Sequence, residues 1–204
     1  MQNIKNVIFD LGGVILNIDI KKTAAAFTRL GQESFENLFN IGHAAGFFKE
    51  YECGLIDDTG FITAVKERFQ NKVTDQQVID AWNALLLDFP ASRIDFLKNI
   101  GSKYRLFLFS NTNALHREAF NVIYQNSFKN GHLDELFEKT YYSHILKMRK
   151  PDPASYQYII DENGLNPAET LFIDDAMVNI EGAQKCGIQA FHLVAPVSIE
   201  NIGL

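Results

Sequence analysis

Two adjacent carboxylates, Asp174 and Asp175, follow the short apolar run at residues 171–173. Two such groups in a partly dry site repel each other. A hard divalent cation relieves that repulsion, and proteins typically hold Mg²⁺ with one or two carboxylates together with waters and phosphate oxygens. The alternative is an exposed helix start, where the helix dipole favours acidic residues. The pair therefore predicts either a magnesium site or an ordinary helix N-terminus.

A third carboxylate, Asp10, follows the apolar run at residues 7–9 and precedes Gly12 and Gly13. Glycine lets the backbone turn sharply and approach a ligand closely. A carboxylate at such a turn can act as a nucleophile toward phosphorus and form an acyl phosphate that water later hydrolyses. Taken alone, the same residues are more typical of a polar strand end followed by an ordinary turn.

Two further segments carry groups that suit a phosphate. Ser110 and Asn111 end the apolar run at residues 104–109, and hydroxyl and backbone N–H groups at a helix N-terminus bind anions. Simple helix capping uses the same residue types. Lys150 precedes Pro151, and proline restricts the residue before it to an extended backbone, which would direct the lysine toward a phosphoryl oxygen. A solvated basic loop is the alternative for Lys150.

The elements that position these residues are predicted to be buried strands separated by helices. The three apolar runs are short and do not alternate, which is typical of strands buried on both faces of a parallel sheet. Further strands are predicted at residues 139–143 and 188–194, with helices at 114–124, 154–163 and 176–186. This alternation predicts a doubly wound α/β sheet. Ligands bind beyond the carboxyl ends of such strands, where the polar residues lie.

A helical insertion is predicted directly after the first strand. Residues 20–87 are almost wholly helical in pattern, and Thr74 begins a segment with capping-box spacing ahead of an apolar face. We therefore predict a small helical cap at residues 17–88, inserted into a core formed by residues 1–16 and 89–204. A cap at this place would overhang the strand ends and act as a lid.

Composition and charge exclude several classes of protein. The 204 residues include 19 basic and 25 acidic side chains, a net charge of −6, which opposes a role in binding duplex nucleic acid. The two cysteines lie near no Cys/His cluster, which predicts a reduced protein without structural zinc. No signal peptide or run of about 20 apolar residues occurs. We expect a cytoplasmic monomer or weak homodimer that binds a small phosphorylated molecule and neither nucleic acid nor membrane.

Together, these segments resemble the haloacid dehalogenase superfamily from end to end of the chain. Asp10 matches its first motif, Ser110 its second, Lys150 its third, and the pair Asp174 and Asp175 its acidic fourth motif. The closer resemblance is to bacterial α-D-glucose-1-phosphate phosphatases. It is carried by residues 9–12, 110–116, 148–151 and 174–183. The resemblance implies a Rossmann-like α/β core with a small α-helical cap.

The resemblance also implies an activity and a set of site residues. It implies a magnesium-dependent phosphatase that hydrolyses a small phosphomonoester, such as α-D-glucose 1-phosphate, through an aspartyl-phosphate intermediate. The implied catalytic residues are Asp10, Ser110 and Lys150, and the implied substrate-binding residues are Gly12, Ser110, Asn111 and Lys150. The implied ligands of Mg²⁺ are the Asp10 carboxylate, the Gly12 main-chain oxygen and Asp175, with Asp174 contacting the ion directly or through water.

One departure from the superfamily pattern concerns the general acid. Most superfamily phosphatases carry a second aspartate two residues after the nucleophile, where this chain has Gly12. General acid–base catalysis is typically worth about 10²–10⁴-fold in rate, so its absence predicts slow turnover of poor leaving groups. The glucose-1-phosphate phosphatases that the chain resembles share this lack. A water molecule, His43 or Glu52 is a candidate substitute.

Two other functions remain open from the sequence. A metal-independent 2-haloacid dehalogenase would also lack the second aspartate, but the acidic pair at Asp174 and Asp175 would be superfluous there. A catalytically weak protein that binds a phosphosugar as a regulator is favoured by Gly12. Magnesium dependence and turnover distinguish these functions from a phosphatase.

Overall fold

A five-stranded sheet lies at the centre of the protein in a computed structural model, which describes residues 3–31, 46–129 and 131–204. Its strands are β1 (Asn6–Phe9), β2 (Arg105–Ser110), β3 (Lys139–Tyr142), β4 (Thr170–Asp174) and β5 (Gln189–His192). All neighbouring strands are parallel, in the order β3-β2-β1-β4-β5. The predicted α/β fold with a parallel sheet is confirmed.

Helices cover both faces of the sheet. In chain order they are α1 (Ile20–Arg29), α2 (Phe47–Glu52), α3 (Asp58–Arg68), α4 (Asp75–Asn83), α5 (Ala91–Ile100), α6 (Ala114–Ser127), α7 (Ser143–Leu146), α8 (Pro153–Asn163) and α9 (Met177–Gln184). On one face α5 and α6 pack against Val7 and Phe9 of β1. On the other, α8 and α9 pack against Ile8. Burial on both sides explains why the strands are apolar without alternation. Within the described residues, no helix has the length and apolar content needed to cross a membrane.

The central strand β1 places the predicted site residues next to one another. It pairs in register with β2 and β4, so that Phe9 lies beside Leu108 on one side and Ile173 on the other. The main-chain N–H of Asp10 donates to the Ile173 carbonyl at 2.9 Å and extends this register by one residue. The carboxyl ends of three neighbouring strands therefore meet at one edge of the sheet.

The helices α1 to α4 form an apolar cluster of their own. Its buried members include Phe27, Phe48, Phe61, Val65 and Trp82. The capping box predicted at Thr74 is present at the start of α4. Leu115 of α6 also belongs to this cluster, so the four helices share apolar contact with the first turn of a core helix.

Two short linkers join these helices to the rest of the chain and run side by side. The Asn17 N–H donates to the Asp88 carbonyl at 2.9 Å, and the Leu87 N–H donates to the Asn17 carbonyl at 3.0 Å. Ile18 and Leu86 form an antiparallel bridge next to these bonds. We propose on this basis that residues 17–88 form a cap inserted into the core.

Candidate active site

A buried lysine joins the ends of two strands. The Nζ atom of Lys150 lies 2.5 Å from Oδ1 of Asp10 and 2.6 Å from Oδ2 of Asp174. The lysine is 1% exposed, Asp10 is 8% exposed and Asp174 is inaccessible to solvent. The structure thus brings three of the predicted site residues, from three distant parts of the chain, into direct contact.

The charges in this cluster do not balance. Burial raises the pKa of Asp10 above its usual range; Lys150 opposes this effect, and the neighbouring charges of Asp174 and Asp175 add to it. For Lys150, burial alone would lower the pKa, but Asp10 and Asp174 together raise it above its ordinary value. The lysine therefore stays protonated. The net negative charge of the surrounding carboxylates favours the binding of a further cation.

Asp174 is held on both of its carboxylate oxygens. Oδ1 accepts from the Ala176 N–H at 2.8 Å and from Nδ2 of Asn179 at 3.0 Å. Oδ2 accepts from Lys150 and lies 3.1 Å from the same Asn179 nitrogen. Asn179 therefore contacts both carboxylate oxygens of Asp174. In the structure its amide fixes the orientation of the Asp174 carboxylate.

Asp175 completes a group of three carboxylates. Oxygen atoms of Asp10, Asp174 and Asp175 all lie within 4.8 Å of one another. Gly13 makes this approach possible, because its φ is +74° and a Cβ there would collide with Oδ2 of Asp175. Oxygen donors crowded in this way suit a hard divalent cation such as Mg²⁺. The donor set therefore fits the metal that the sequence predicts.

Gly12 lies in the tight turn that follows Asp10. The neighbouring Gly13 N–H donates to the Leu16 carbonyl at 2.9 Å, and Gly12 itself forms a bridge with Leu16. A Cβ on Gly12 would lie 3.1 Å from the Cδ1 atom of Ile18. An apolar side chain from the linker therefore borders the position where most superfamily phosphatases carry the second aspartate.

Ser110 and Asn111 occupy the end of β2, but their side chains have different surroundings. Ser110 is the last residue of the strand and is buried. Asn111 was predicted to bind substrate, yet its side chain contacts the main chain of Lys150: Oδ1 accepts from the lysine N–H at 2.9 Å, and Nδ2 donates to the lysine carbonyl at 3.0 Å. Each end of the amide makes one of these bonds, so the Asn111 side chain holds the Lys150 main chain in place. Its role in binding substrate stays a prediction.

A junction between α4 and α6 includes a buried histidine, His116, for which the sequence predicted no role. The ring of His116 stacks on Trp82 with centroids 4.8 Å apart. Its Nδ1 lies 3.1 Å from Nδ2 of Asn113, and its Nε2 lies 3.1 Å from the Trp82 carbonyl. Because the Nδ2 nitrogen of Asn113 can only donate, His116 Nδ1 accepts from it, and Nε2 carries the ring proton and donates to the Trp82 carbonyl. Asn113 also caps α6 by accepting from the His116 N–H, a spacing visible in the sequence.

Of the two residues that are candidates to replace the general acid, the structure describes Glu52 but not His43. Glu52 is paired with Arg149, with Nη2 and Oε2 2.9 Å apart. His43 lies outside the described residues. The ion pair between Glu52 and Arg149 was not predicted, because the sequence around each residue does not indicate the other as its partner.

Comparison with known proteins gives one consistent result. A family model described as haloacid dehalogenase-like hydrolase matches residues 4–187. A curated relative, the D-ribitol-5-phosphate phosphatase of Bacteroides thetaiotaomicron, is 29% identical over 188 residues, which cover 92% of this chain and 91% of the relative.

Solved structures agree with this result over more than nine-tenths of the chain. One is a haloacid dehalogenase family enzyme from Bacteroides thetaiotaomicron in complex with magnesium and inorganic phosphate. It has a TM-score of 0.87 and 34% identity, covering 96% of this chain and 97% of that one. A predicted hydrolase of the same kind from Porphyromonas gingivalis has a TM-score of 0.85 and 29% identity, covering 93% and 91%.

The buried imidazole of His116 makes stability depend on pH. Burial lowers its pKa from 6.5 to about 4, so between these values the unfolded chain binds a proton that the folded chain does not. The free energy of unfolding should therefore fall as the pH drops from 6.5 to 4, by up to about 3 kcal/mol from this group. Urea unfolding of the wild type and of His116→Gln at pH 7 and pH 4.5 measures this, and the variant should lose less stability on acidification.

The matched control is His132→Gln, which removes an exposed histidine. It should retain the pH dependence of the wild type. An unchanged pH dependence in His116→Gln would show that this imidazole is not the group responsible.

Proposed function

The chain belongs to the haloacid dehalogenase-like hydrolases, and on that premise we propose that it is a magnesium-dependent phosphatase of small sugar or polyol phosphates. The observation that carries the proposal is the cluster in which Lys150 contacts Asp10 and Asp174 while Asp175 lies within 4.8 Å. A nucleophile, a fixed cation and a set of oxygen donors are the groups that phosphoryl transfer needs in one place.

The proposed substrate class rests on a resemblance in sequence motifs and on one curated relative, which differ in the substrate they indicate. The sequence resembles phosphatases of α-D-glucose 1-phosphate, and a relative that aligns with most of the chain is named for D-ribitol 5-phosphate. Both compounds are small, carry several hydroxyl groups and bear one phosphate. We therefore propose a small polyhydroxylated phosphomonoester, with α-D-glucose 1-phosphate as the first compound to test.

In the proposed reaction Asp10 is the nucleophile. A carboxylate oxygen of Asp10 attacks phosphorus, the ester P–O bond breaks, and the leaving oxygen takes up a proton from solvent water to give the free alcohol. Water then attacks the phosphorus of the aspartyl phosphate, which releases inorganic phosphate and restores the carboxylate. The raised pKa of Lys150 keeps it positively charged next to Asp10, so it can stabilise negative charge on the transferred oxygens, together with Ser110.

The proposed magnesium ligands are the Asp10 carboxylate, the Gly12 main-chain oxygen, Asp175 and Asp174. A bound Mg²⁺ ion supplies Lewis acidity that reduces repulsion between an anionic nucleophile and an anionic substrate. Both oxygens of Asp174 already accept hydrogen bonds from the protein, which supports contact through water at that residue. Gly13 maintains the space for the Asp175 carboxylate.

The two alternative functions, a dehalogenase and a regulator, differ from a phosphatase in how the protein would act on its ligand. A dehalogenase displaces halide without a metal, so it has no use for three carboxylates placed within 4.8 Å of one another. A regulator would bind a phosphosugar without turnover, and Gly12 is the residue that favours it. Each alternative therefore predicts a different result in the same assay.

The proposal predicts phosphate release from sugar and polyol phosphates that requires Mg²⁺ and disappears with EDTA. Asp10→Asn should lower kcat by about 10³-fold or more because it removes the nucleophile. Asp95→Asn, an exposed aspartate on α5, is the matched control and should retain activity. Metal-independent chloride release from 2-chloropropionate would instead support a dehalogenase, and stoichiometric binding without turnover would support a regulator.

Mg²⁺ should stabilise the folded protein through the three carboxylates. At 100 times the dissociation constant the expected gain is about 2.7 kcal/mol, or about 5–10 °C in Tm for a domain of this size. Gly13→Ala should weaken Mg²⁺ binding by about tenfold or more, because the new methyl displaces Asp175. Calorimetric titration with Mg²⁺ measures this affinity.

The control for the glycine substitution is Gly164→Ala. Gly164 also has a positive φ, of +60°, but no atom lies within 4 Å of a Cβ placed there. The control therefore shares the backbone strain without the collision and should bind Mg²⁺ as the wild type does. Equal affinity in Gly13→Ala would contradict the assignment of Asp175 as a ligand.

Restoring an acid at Gly12 should accelerate hydrolysis of substrates with poor leaving groups. The new Cβ meets only the flexible end of Ile18, at 3.1 Å, so the side chain can be accommodated by a small shift. We expect Gly12→Asp to raise kcat on alkyl phosphates by about tenfold or more, with little gain on p-nitrophenyl phosphate. Gly12→Asn has the same shape without the acid and should show no gain. Equal rates for the two variants would contradict this explanation of the departure.

A further inference from the structure

An ion pair connects the cap to the residue next to the buried lysine. Arg149 directly precedes Lys150, and its Nη2 atom lies 2.9 Å from Oε2 of Glu52, the last residue of α2. The two side chains are 14% and 23% exposed, so solvent screens this pair far less than it screens ion pairs at the surface. The linked residues come from the predicted cap and from the loop that carries the catalytic lysine.

The same end of α2 also reaches the loop that follows β2. The Oγ atom of Ser143 lies 2.6 Å from the Glu52 carbonyl and 2.9 Å from the Thr112 carbonyl, and it accepts from the Thr112 N–H at 2.9 Å. Ser143 is fully buried. Through this hydroxyl, the end of α2 is connected to the residue two positions after Ser110.

These contacts form a closed ring around the catalytic loops. Glu52 pairs with Arg149, which is bonded covalently to Lys150, and the Lys150 main chain is held by the Asn111 side chain. Asn111 leads to Thr112, which returns through Ser143 to Glu52. A ring of this kind restrains the spacing between the loop that follows β2 and the loop that carries Lys150.

Arg149 depends on its carboxylate partner for orientation. Its Nε atom is buried and makes no hydrogen bond within the described structure. The ion pair at Nη2 with Glu52 therefore restrains the guanidinium of the residue that directly precedes Lys150. Removing the carboxylate would leave a largely buried cation that must move to find new partners.

We propose that the ion pair between Glu52 and Arg149 positions Lys150 for phosphoryl transfer and thereby couples the cap to catalysis. This inference rests on the proposed phosphatase function. Glu52 is here a positioning residue that acts through Arg149, and it is not the missing general acid. A displacement of about 1 Å in a group that acts on the transition state can cost about 10²-fold in rate, so a pair that aligns Lys150 affects kcat more than KM.

The test compares Glu52→Gln and Arg149→Lys with the wild type, using the best substrate of the wild type and saturating Mg²⁺. Glu52→Gln should lower kcat by about 10- to 100-fold with a smaller change in KM. Arg149→Lys keeps the charge but loses the planar guanidinium, and its loss should be smaller. Calorimetric binding of inorganic phosphate with Mg²⁺ should weaken by about threefold or more in Glu52→Gln.

Two controls distinguish a role in positioning Lys150 from a role that only attaches the cap to the core. Glu138→Gln removes the carboxylate of another arginine–glutamate pair, with Arg105 at the start of β2, and should leave kcat unchanged. The exchanged pair, Glu52→Arg with Arg149→Glu, should recover at least about tenfold in kcat over Arg149→Glu alone, and it tests the pairing even where Glu52→Gln folds poorly.

The result that would overturn the inference is a lowered Tm with wild-type kcat and phosphate affinity in Glu52→Gln and Arg149→Lys. Failure of the exchanged pair to recover activity would do the same. The proposed function is judged separately by the wild type: if the wild type hydrolyses no phosphate ester, the phosphatase fails, while phosphate affinity in the variants still decides whether the ion pair positions Lys150.

Discussion

The site depends on three carboxylates being held close together around a buried lysine. Asp10 and Asp174 stand at the ends of adjacent strands, and Lys150 lies between them within 2.6 Å of each. One lysine does not neutralise three carboxylates, so the cluster favours an additional cation and keeps Lys150 charged. The same excess of negative charge repels an incoming phosphate until a metal is bound. This repulsion is the physical reason for the proposed magnesium dependence.

Two neighbouring asparagine amides and one glycine hold the charged side chains of the site in position. Asn179 holds the carboxylate of Asp174, and Asn111 holds the main chain of Lys150 from both sides. Gly13 keeps the space that Asp175 occupies. Phosphoryl transfer is catalysed chiefly by positioning and electrostatics, so residues that never touch the substrate can influence the rate. In the proposed coupling, the ring of contacts from Glu52 to Lys150 extends this positioning into the proposed cap.

The parts predicted from sequence were those with local signals. The apolar runs before Asp10, Ser110 and Asp174 predicted buried parallel strands, because burial on both faces leaves a continuous pattern. The shared edge of the sheet then followed from topology. The side-chain partners of Asn111 could not be predicted in the same way, because an asparagine at a strand end can cap a helix, bind a ligand or hold a distant main chain, and only tertiary packing decides which. The pairing of Glu52 with Arg149 has the same origin, since neither segment carries a local mark of the other.

The most direct test is whether Asp10 itself carries the phosphoryl group during turnover. The protein would be mixed with Mg²⁺ and its best substrate, quenched in acid, and treated with borohydride, which reduces an acyl phosphate to an alcohol. Mass spectrometry of the peptide containing residue 10 should then find homoserine in place of Asp10, and only in samples that contained substrate. An unmodified Asp10 in every sample, together with steady phosphate release, would contradict the covalent role that the cluster of charges supports.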